Sequence, residues 1–391
     1  MKTPSRFTIV TQEFARANDQ TRAMTTTEPR PTGTRPGLRD RVRDRVLGLV
    51  EAATTPLLPT DYLDVFAPLR SGADLRGRVV EVRPETADAA TLVIQPGRGW
   101  REHVPGQYVR LGVDVDGVRQ WRAYSVTSDR TRTDGCITVT VKAIPDGVVS
   151  NHLVRRLQPG TVVQLDQATG EFVLPEDRPA KALFVTAGSG ITPVMGMLRN
   201  HLTELVDVVV VHSAPTAADV VFGAELRALA AAGSIRLVER HTEVDGLLKP
   251  ADLAELVPDL TERTTWACGP VGMLEALEEH WAAEDAADRL HTERFRPRVL
   301  VTGEGGTVTF GRTGSVVEAD GATPILDAAE DAGVLMPSGC RMGICYGCVL
   351  PLREGAVRDL RTGELTVAAP GDGVLVQTCI SAAAGACDID H

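Results

Sequence analysis

The sequence predicts a multidomain protein in which an antiparallel β-barrel, an α/β domain with a parallel sheet and a small α+β domain follow one another. Three patterns predict this order: short alternating strands in residues 75–178, strands alternating with helices in residues 179–297, and a cysteine-rich loop within residues 306–391. A chain of 391 residues is also too long for one ordinary hydrophobic core.

Composition narrows the class of protein before any motif is considered. Hydrophobic residues make up 43% of the chain and charged residues 24%, which is typical of a globular protein. The net charge of −11 argues against nucleic acid as a partner. No apolar run reaches the length of a membrane span. An odd total of 7 cysteines without a secretory signal argues against a disulfide framework and favours the reducing cytoplasm.

The N-terminal region is predicted to lie outside the three domains. Residues 1–37 are rich in Thr, Pro and Arg and are predicted to be a disordered tail. Residues 38–74 are predicted to form a helix with an apolar stripe and basic flanks, followed by an apolar strap. Such a helix can lie on an anionic membrane surface or pack against its own protein, and the second interpretation is favoured.

Residues 75–178 are predicted to form the barrel, because RGRVVEV, ATLVIQP, QYVRLGV, CITVTVKAI and TVVQLDQ are separated by Gly and Pro turns. In WRAYSVTS, Arg122 and Tyr124 fall on one face of a strand end and Ser125 on the other. Arginine suits a phosphate, and a tyrosine ring can stack on a planar heterocycle. The triple alone is a weak signal, since such residues also decorate ordinary strands.

A second barrel segment, KAIPDGVVSNHLVRRL, starts at Lys142. A turn is predicted to end at Gly147, and Ser150 is predicted to cap a helix whose free N–H groups would receive a pyrophosphate. An ordinary capped helix is the alternative.

Residues 179–297 are predicted to form the parallel sheet from KALFVTA, DVVVVHS, SIRLVER, TTWACG and RLHTERF. The first strand turns through Gly188 and Gly190 into a helix that Thr192 is predicted to cap, a partial match to the dinucleotide fingerprint. In WACGPVGML, Cys268 falls at the carboxyl edge of the sheet, where it would either pack beside a nicotinamide or be one more buried residue. No acidic residue ends the strand DVVVVHSAP, which mildly favours NADPH over NADH.

After a linker at residues 298–305, residues 306–391 contain the most informative motif of the chain. PSGCRMGICYGC has the spacing C-x4-C-x2-C, and a fourth cysteine follows in VQTC, which is the plant-type [2Fe–2S] pattern. Structural zinc remains the alternative, although zinc sites prefer two short knuckles or Cys/His mixtures. The predicted ligands are Cys340, Cys345, Cys348 and Cys379.

The same region carries an excess of negative charge. Residues 306–391 hold five basic and eleven acidic residues. An acidic surface of this kind can dock a basic electron acceptor or can simply be solvated, and both interpretations stay open.

Taken together, RAYSVTS, GVVS, TAGSGITP, ACGP and ERF resemble the ferredoxin–NADP reductase superfamily, followed by a C-terminal plant-type ferredoxin domain. The resemblance covers about residues 75–391. TPLLPTDYLDVF, VKAIPDG, VHSAP and VRDLRTG further resemble the actinobacterial NADPH oxidoreductases that serve stearoyl-CoA Δ9-desaturase.

The resemblance implies an FAD-binding barrel, an NAD(P)-binding α/β domain and a β-grasp ferredoxin domain. FMN relatives share this domain set. It implies that Arg122 holds the pyrophosphate, that Tyr124 and Ser125 face the flavin, and that Tyr124, Ser125 and Cys268 are the catalytic residues. The implied flavin-binding residues are Arg122, Tyr124, Ser125, Val126, Thr127, Lys142, Gly147, Val148, Ser150 and Phe295. The implied nucleotide-binding residues are Gly188, Ser189, Gly190, Ile191, Thr192, Cys268, Gly269 and Pro270.

The expected function follows from the electron count of the three cofactors. NADPH gives up two electrons together and the cluster takes one, so a flavin is expected between them. We expect an oxidoreductase that carries electrons from NADPH through FAD and [2Fe–2S] to an external acceptor, preferably a membrane di-iron acyl-CoA desaturase. The alternatives are a soluble oxygenase, such as a ring-hydroxylating dioxygenase or cytochrome P450, and a non-catalytic redox sensor. The expected location is the cytoplasm, with possible peripheral membrane association through the N-terminal helix.

Overall fold

The computed structural model describes residues 69, 74–145, 147–295 and 301–391. The predicted N-terminal tail lies outside the described residues, as do nearly all of the predicted helix and strap and part of the predicted linker. Strands and helices are numbered below in chain order among the described residues.

The first domain is an antiparallel sheet whose two edges meet. Its strands run in the order β4-β3-β6-β1-β2-β5. An isolated bridge between Val126 and Val139 links the end of β4 to β5, so the sheet curls toward closure around buried residues such as Leu111. The antiparallel barrel predicted from the alternating strands is confirmed. The strands are β1 Arg76–Thr86, β2 Ala89–Pro96, β3 Tyr108–Val115, β4 Val118–Ser125, β5 Ile137–Lys142 and β6 Val162–Leu165.

One helix, α1 (Val148–Arg155), packs Val149 and Leu153 against this barrel. The prediction that Ser150 caps the helix is wrong, because Gly147 is the N-cap and the helix begins at Val148. Ser150 lies inside the first turn, where its hydroxyl donates to the Gly147 carbonyl at 3.2 Å and accepts from the Ile144 N–H at 3.3 Å. It therefore stabilises the turn before the helix.

The second domain is a parallel five-stranded sheet in the order β11-β10-β7-β8-β9. Apolar residues of the strands contribute to two buried clusters, one including Phe184 and Met195 and the other including Leu183 and Trp281. The strand–helix alternation thus gives the predicted parallel sheet. Its strands are β7 Lys181–Ala187, β8 Asp207–Ala214, β9 Arg236–His241, β10 Thr264–Cys268 and β11 Leu290–Glu293, and its helices are α2 Ile191–His201, α3 Gly223–Ala231, α4 Thr242–Asp245, α5 Pro250–Leu256 and α6 Val271–Ala283.

The turn between β7 and α2 is a single 3-10 turn at Gly188–Gly190. Thr192 does not cap α2, because the helix begins at Ile191 after Gly190. The Thr192 hydroxyl instead donates to the Ser189 carbonyl at 2.9 Å inside the first turn. A side chain at position 190 would overlap the Cys268 carbonyl, so glycine there permits the turn to lie against the end of β10.

The third domain is a mixed α+β fold. Its strands follow the order β13-β12-β17-β14-β15, with β16 paired to β14, and only the β12–β17 pair is parallel among the strands described. Phe310, Leu326 and Ala383 lie in its buried core. The hairpin, helix, cysteine loop and further strands occur in the predicted sequence. Its strands are β12 Gly306–Phe310, β13 Ser315–Ala319, β14 Val349–Asp359, β15 Leu365–Ala368, β16 Val374–Gln377 and β17 Ser381–Ile389, and its helix is α7 Ile325–Asp331.

Helix α2 fastens the first domain to the second. Arg199 donates to the Thr127 carbonyl at 2.6 Å, and Asn200 donates to the Ser128 carbonyl at 3.0 Å. A side chain at Gly196 would collide with the Val126 carbonyl. The segment after β4 is therefore held directly against the second domain. Among the helices that the structure describes, none has both the length and the apolar character needed to cross a membrane.

Candidate functional site

The four predicted cluster ligands lie in the third domain as two pairs. Cys340 lies beside Cys345, and Cys348 lies beside Cys379, close enough for each thiol to affect the pKa of the other. Over residues 74–145, 147–295 and 301–391, no group of three or more His, Cys, Asp or Glu side chains forms a site for one metal ion. Two pairs of thiols match the requirement of a two-iron cluster, in which each iron takes two protein ligands.

Backbone N–H groups surround the thiols of the cysteine loop. The N–H of Cys340 donates to Cys345 Sγ at 3.1 Å, that of Met342 to Cys340 Sγ at 3.3 Å, and that of Gly347 to Cys345 Sγ at 3.4 Å. The neighbouring Cys340 thiol, these N–H groups and a nearby arginine lower the pKa of the Cys345 thiol. The loop is thus built to hold a thiolate, the form that binds iron.

The end of the β3–β4 hairpin holds the predicted flavin contacts. Tyr108 pairs with Ser125 on one face of the hairpin, and Val109 pairs with Tyr124 on the other. Ser125 is buried, and its hydroxyl has no hydrogen-bond partner among the described residues. A buried unpaired hydroxyl is costly unless a ligand satisfies it, so this site fits the polar edge of a bound flavin.

Arg122 and Tyr124 lie in a poorly solvated environment. Burial raises the pKa of Tyr124 well above its usual range. Burial, reinforced by the positive charge of Arg341, lowers the pKa of Arg122 to about 10. The Arg122 guanidinium donates to the Trp121 carbonyl at 2.8 Å, and it forms no ion pair with a carboxylate among the described residues. Its charge suits the predicted pyrophosphate.

Other predicted flavin residues are engaged within the protein. The Thr127 hydroxyl lies 2.8 Å from that of Thr138, and Val126 is fully buried. Lys142 forms an ion pair with Asp88 at 2.6 Å. Val148 is exposed at the start of α1. The side chains of Thr127 and Lys142 are therefore already bonded to protein partners, and their part in flavin binding stays a prediction.

The predicted nucleotide residues meet at the carboxyl edge of the parallel sheet. Gly190 contacts the end of β10, and Gly269 lies against Ala187, so the two loops after β7 and β10 are neighbours. Cys268 is fully buried, and burial raises the pKa of its thiol well above the usual value. It therefore remains a neutral thiol. Ser189, Ile191, Thr192 and Pro270 belong to the same two connections.

Glu293, the last residue of β11, is a candidate that sequence reasoning missed. Burial raises the pKa of this carboxyl group to about 8, and its Oε2 atom is buried without a partner among the described residues. Its charge acts on Cys268, which registers with it across β10 and β11. Glu293 is the first residue of the ERF motif, so the sequence did point to this segment. The resemblance implies a role only for Phe295 of that motif, and Phe295 is exposed.

Tyr108 is a second candidate that sequence reasoning missed. Burial, followed by the neighbouring Cys340, Cys345 and Glu293, raises the pKa of Tyr108 to about 12. The start of β3 is therefore close to the cysteine loop, to the nucleotide edge and to Ser125. No local sequence signal indicates this, because the three neighbours belong to three different domains.

This arrangement defines an NAD(P)H oxidoreductase that contains a flavin and an iron–sulfur cluster. Family models match three regions: the oxidoreductase FAD-binding domain at residues 92–174, the oxidoreductase NAD-binding domain at 184–279 and the 2Fe-2S iron-sulfur cluster binding domain at 308–384. The chain belongs to the ferredoxin–NADP reductase superfamily, in the group that carries a C-terminal 2Fe-2S domain. Its cofactors are FAD, NAD(P)H and a [2Fe–2S] cluster.

Two curated relatives support this membership. The chain is 52% identical over 344 residues to an NADPH oxidoreductase of Mycobacterium tuberculosis, covering 86% of this chain and 90% of that protein. It is 33% identical over 306 residues to the ferredoxin reductase component of 3-ketosteroid-9-alpha-monooxygenase from Mycolicibacterium smegmatis, covering 72% and 86%. Phthalate dioxygenase reductase has a similar fold, with a TM-score of 0.57 and 20% identity over 82% of this chain and 98% of that chain.

The unpaired hydroxyl of Ser125 generates the first prediction. The variant S125A should keep its thermal stability, since no described protein group loses a bond, yet flavin reduction by NADPH should slow about tenfold for the loss of one hydrogen bond. Stopped-flow absorbance measures the rate. The control T127V should behave in the opposite way. It loses the hydrogen bond to the Thr138 hydroxyl and so should lose thermal stability, but its rate of flavin reduction should stay normal. A normal rate in S125A would contradict a flavin contact.

The raised pKa of Glu293 predicts a pH-dependent stability. A glutamate in the unfolded chain has its usual pKa of 4.5 and the folded carboxyl group a pKa of about 8, so folding loses stability as pH rises between these values. The free energy of unfolding of E293Q relative to the wild type should therefore rise from pH 5 to 8 and then level off, by at most about 1.4 kcal/mol per pH unit. Urea unfolding at several pH values measures it. The variant E284Q controls for loss of an exposed carboxyl group. A flat difference would refute the burial argument.

The pairing of the cysteines predicts a selective loss. The variant C379A removes one member of the Cys348–Cys379 pair and should lose most of its iron and acid-labile sulfide while retaining FAD. The control C387A removes a buried cysteine outside both pairs and should keep the cluster. Iron, sulfide and flavin analysis of the purified proteins distinguishes the two. Full iron content in C379A would assign the ligand elsewhere.

Proposed function

We propose that this protein delivers single electrons from NADPH to an oxygen-activating enzyme, and that the preferred acceptor is a membrane-bound di-iron acyl-CoA desaturase. The observation that carries the proposal is the position of Tyr108. Its neighbours are Ser125 of the flavin site, Glu293 of the nucleotide edge and the cysteine loop. The start of β3 thus lies near the proposed sites of the nucleotide that donates electrons, of the flavin and of the cluster that passes electrons on.

The residues around this point have distinct proposed roles. FAD supplies, when bound, a group that takes two electrons as a hydride and gives them up singly. Arg122 would hold its pyrophosphate, and Tyr124 and Ser125 would contact its ring. Cys268 provides a neutral, water-free surface beside the nicotinamide. Glu293, whose pKa is about 8, is mostly neutral near pH 7 and so adds little negative charge at the place where electrons arrive.

The preference for NADPH is part of the proposal. Strand β8 ends in His212, Ser213 and Ala214, without an acidic residue. The neighbouring strand brings Arg240 into register with Ser213, and Glu239 is engaged by Arg227 at 2.8 Å. Arg240 itself faces Asp245 and Asp252 at 3.8 Å, so a 2′-phosphate would compete with these carboxylates for its guanidinium. A cationic side chain at this edge supports recognition of a 2′-phosphate, whereas an acid there would favour a free ribose hydroxyl.

The choice of acceptor rests on different support. The resemblance of TPLLPTDYLDVF and neighbouring phrases to the desaturase reductases favours a membrane desaturase. The arginines of the predicted N-terminal helix, Arg39, Arg41, Arg43 and Arg45, would suit an anionic membrane surface. The alternative is a soluble oxygenase. It is favoured by relatives that are reductase components of 3-ketosteroid-9-alpha-monooxygenase and of glycine betaine monooxygenase. Either acceptor fits a reductase placed in the reducing cytoplasm.

The relay is tested by anaerobic titration with NADPH and, separately, NADH. NADPH should bleach the flavin absorbance and then give the EPR signal of a reduced [2Fe–2S] centre, at lower concentrations than NADH. Steady turnover with cytochrome c would eliminate a purely sensory role. Flavin bleaching without any cluster signal would overturn the relay.

The acceptor is tested in membranes that contain the desaturase. NADPH and the full-length protein should convert stearoyl-CoA to the oleoyl product, and a variant lacking residues 1–70 should do so less well while reducing cytochrome c normally. No oleoyl product would refute the desaturase. Efficient coupling to a soluble oxygenase, unaffected by the deletion, would favour the alternative.

A further inference from the structure

Arg110 belongs to strand β3 of the flavin domain but reaches into the cysteine loop of the iron–sulfur domain. A Cβ atom added at Gly339 would lie 3.3 Å from its Nη1 atom, and one added at Gly347 would lie 3.4 Å from it. The guanidinium therefore lies beside both glycines, and Cys345 Sγ lies closer still to position 339.

The guanidinium is held from the flavin domain on two sides. It forms an ion pair with Asp166, which follows β6, and its Cζ atom lies 5.5 Å from the centre of the Trp121 ring. Its side chain is 27% exposed, so water screens this charge only in part. Two anchors on one rigid sheet fix the direction in which Arg110 points.

At its free end the guanidinium faces the Cys345 thiol, and its positive charge favours the thiolate form of that cysteine. Cys345 also receives the N–H groups of Cys340 and Gly347, so Arg110 adds a positive charge from another domain to a set of backbone donors.

We propose that Arg110 is a positioning residue of the cluster: it binds the Cys345 thiolate to the flavin domain and raises the reduction potential of the [2Fe–2S] centre. Reduction adds one negative charge to the cluster as a whole, which its thiolate ligands share in part. A fixed positive charge beside the sulfur stabilises that added charge, and charge and hydrogen bonds at the sulfurs are among the factors that set cluster potentials. Arginine is suited to the role because it stays protonated and can bond two partners at once.

The role differs from that of a simple surface ion pair. Arg110 connects Asp166 of one domain to Cys345 of another, so its charge acts on an electron-transfer group rather than on a single neighbouring carboxylate. The same hairpin offers a matched comparison, since Arg119 pairs with Asp114 on β3 and β4 through an equivalent guanidinium–carboxylate contact. Arg119 forms its pair at an exposed position of the hairpin.

The test is an EPR-monitored redox titration of the intact holoenzyme in the variants R110Q, R110K and R119Q. In R110Q the equilibrium constant for placing an electron on the cluster should fall about tenfold, which corresponds to a midpoint potential about 59 mV more negative for one electron. The variant R110K keeps the positive charge but lacks the planar guanidinium that can bond two partners, so in R110K the same equilibrium constant should fall about threefold. R119Q should match the wild type. Flavin absorbance followed in the same titration shows whether the shift is specific to the cluster.

A midpoint potential in R110Q equal to that of R119Q would overturn the proposal. If R110Q fails to assemble its cluster, the test uses R110K instead, and a midpoint potential in R110K equal to that of the wild type would likewise overturn the proposal. The measurement needs no external acceptor. Failure of the desaturase assay would therefore leave this result unaffected, and failure of the titration would not bear on the acceptor.

Discussion

The arrangement of the three domains depends on one constraint: the two-electron donor, the flavin and the one-electron cluster must meet within a short distance. In the path proposed for this protein, the β3–β4 hairpin satisfies it. One end of the hairpin holds the unpaired hydroxyl of Ser125, and the neighbouring strand carries Tyr108 and Arg110 toward the cysteine loop. The second domain then needs only to be held in place, which α2 does through Arg199 and Asn200.

Burial of ionisable groups distinguishes this meeting point from the rest of the surface. Arg122, Tyr124 and Glu293 all have pKa values displaced in the direction that disfavours their charged forms, because they are removed from water. Surface pairs such as Arg119 and Asp114 show the opposite behaviour, with charges that stabilise one another. Clustering of the first kind is typical of functional sites.

Local sequence predicted much of this architecture, for identifiable reasons. Strand alternation, strand–helix alternation and the spacing of Cys340, Cys345 and Cys348 are patterns within short segments, and these yielded the three folds and the cluster loop. The predicted helix caps were wrong, because Ser150 and Thr192 lie in the first turn of their helices rather than before them. Serine and threonine occur both at the N-cap and inside the first turn of a helix, so the sequence alone does not distinguish the two positions.

The residues that the sequence did not reveal share a different property, because their roles depend on contacts between distant segments. Glu293 becomes unusual because the folded protein buries its carboxyl group, and Arg110 becomes unusual because it lies beside Cys345, more than two hundred residues away in the chain. The glycines of the cysteine loop illustrate the point. Glycine at positions 339 and 347 leaves the backbone N–H groups of the loop free to approach the thiols, and it also lets a guanidinium from another domain lie beside the loop. A cluster motif in a multidomain reductase thus carries two requirements at once, one set by its own ligands and one by the domain that supplies its electrons.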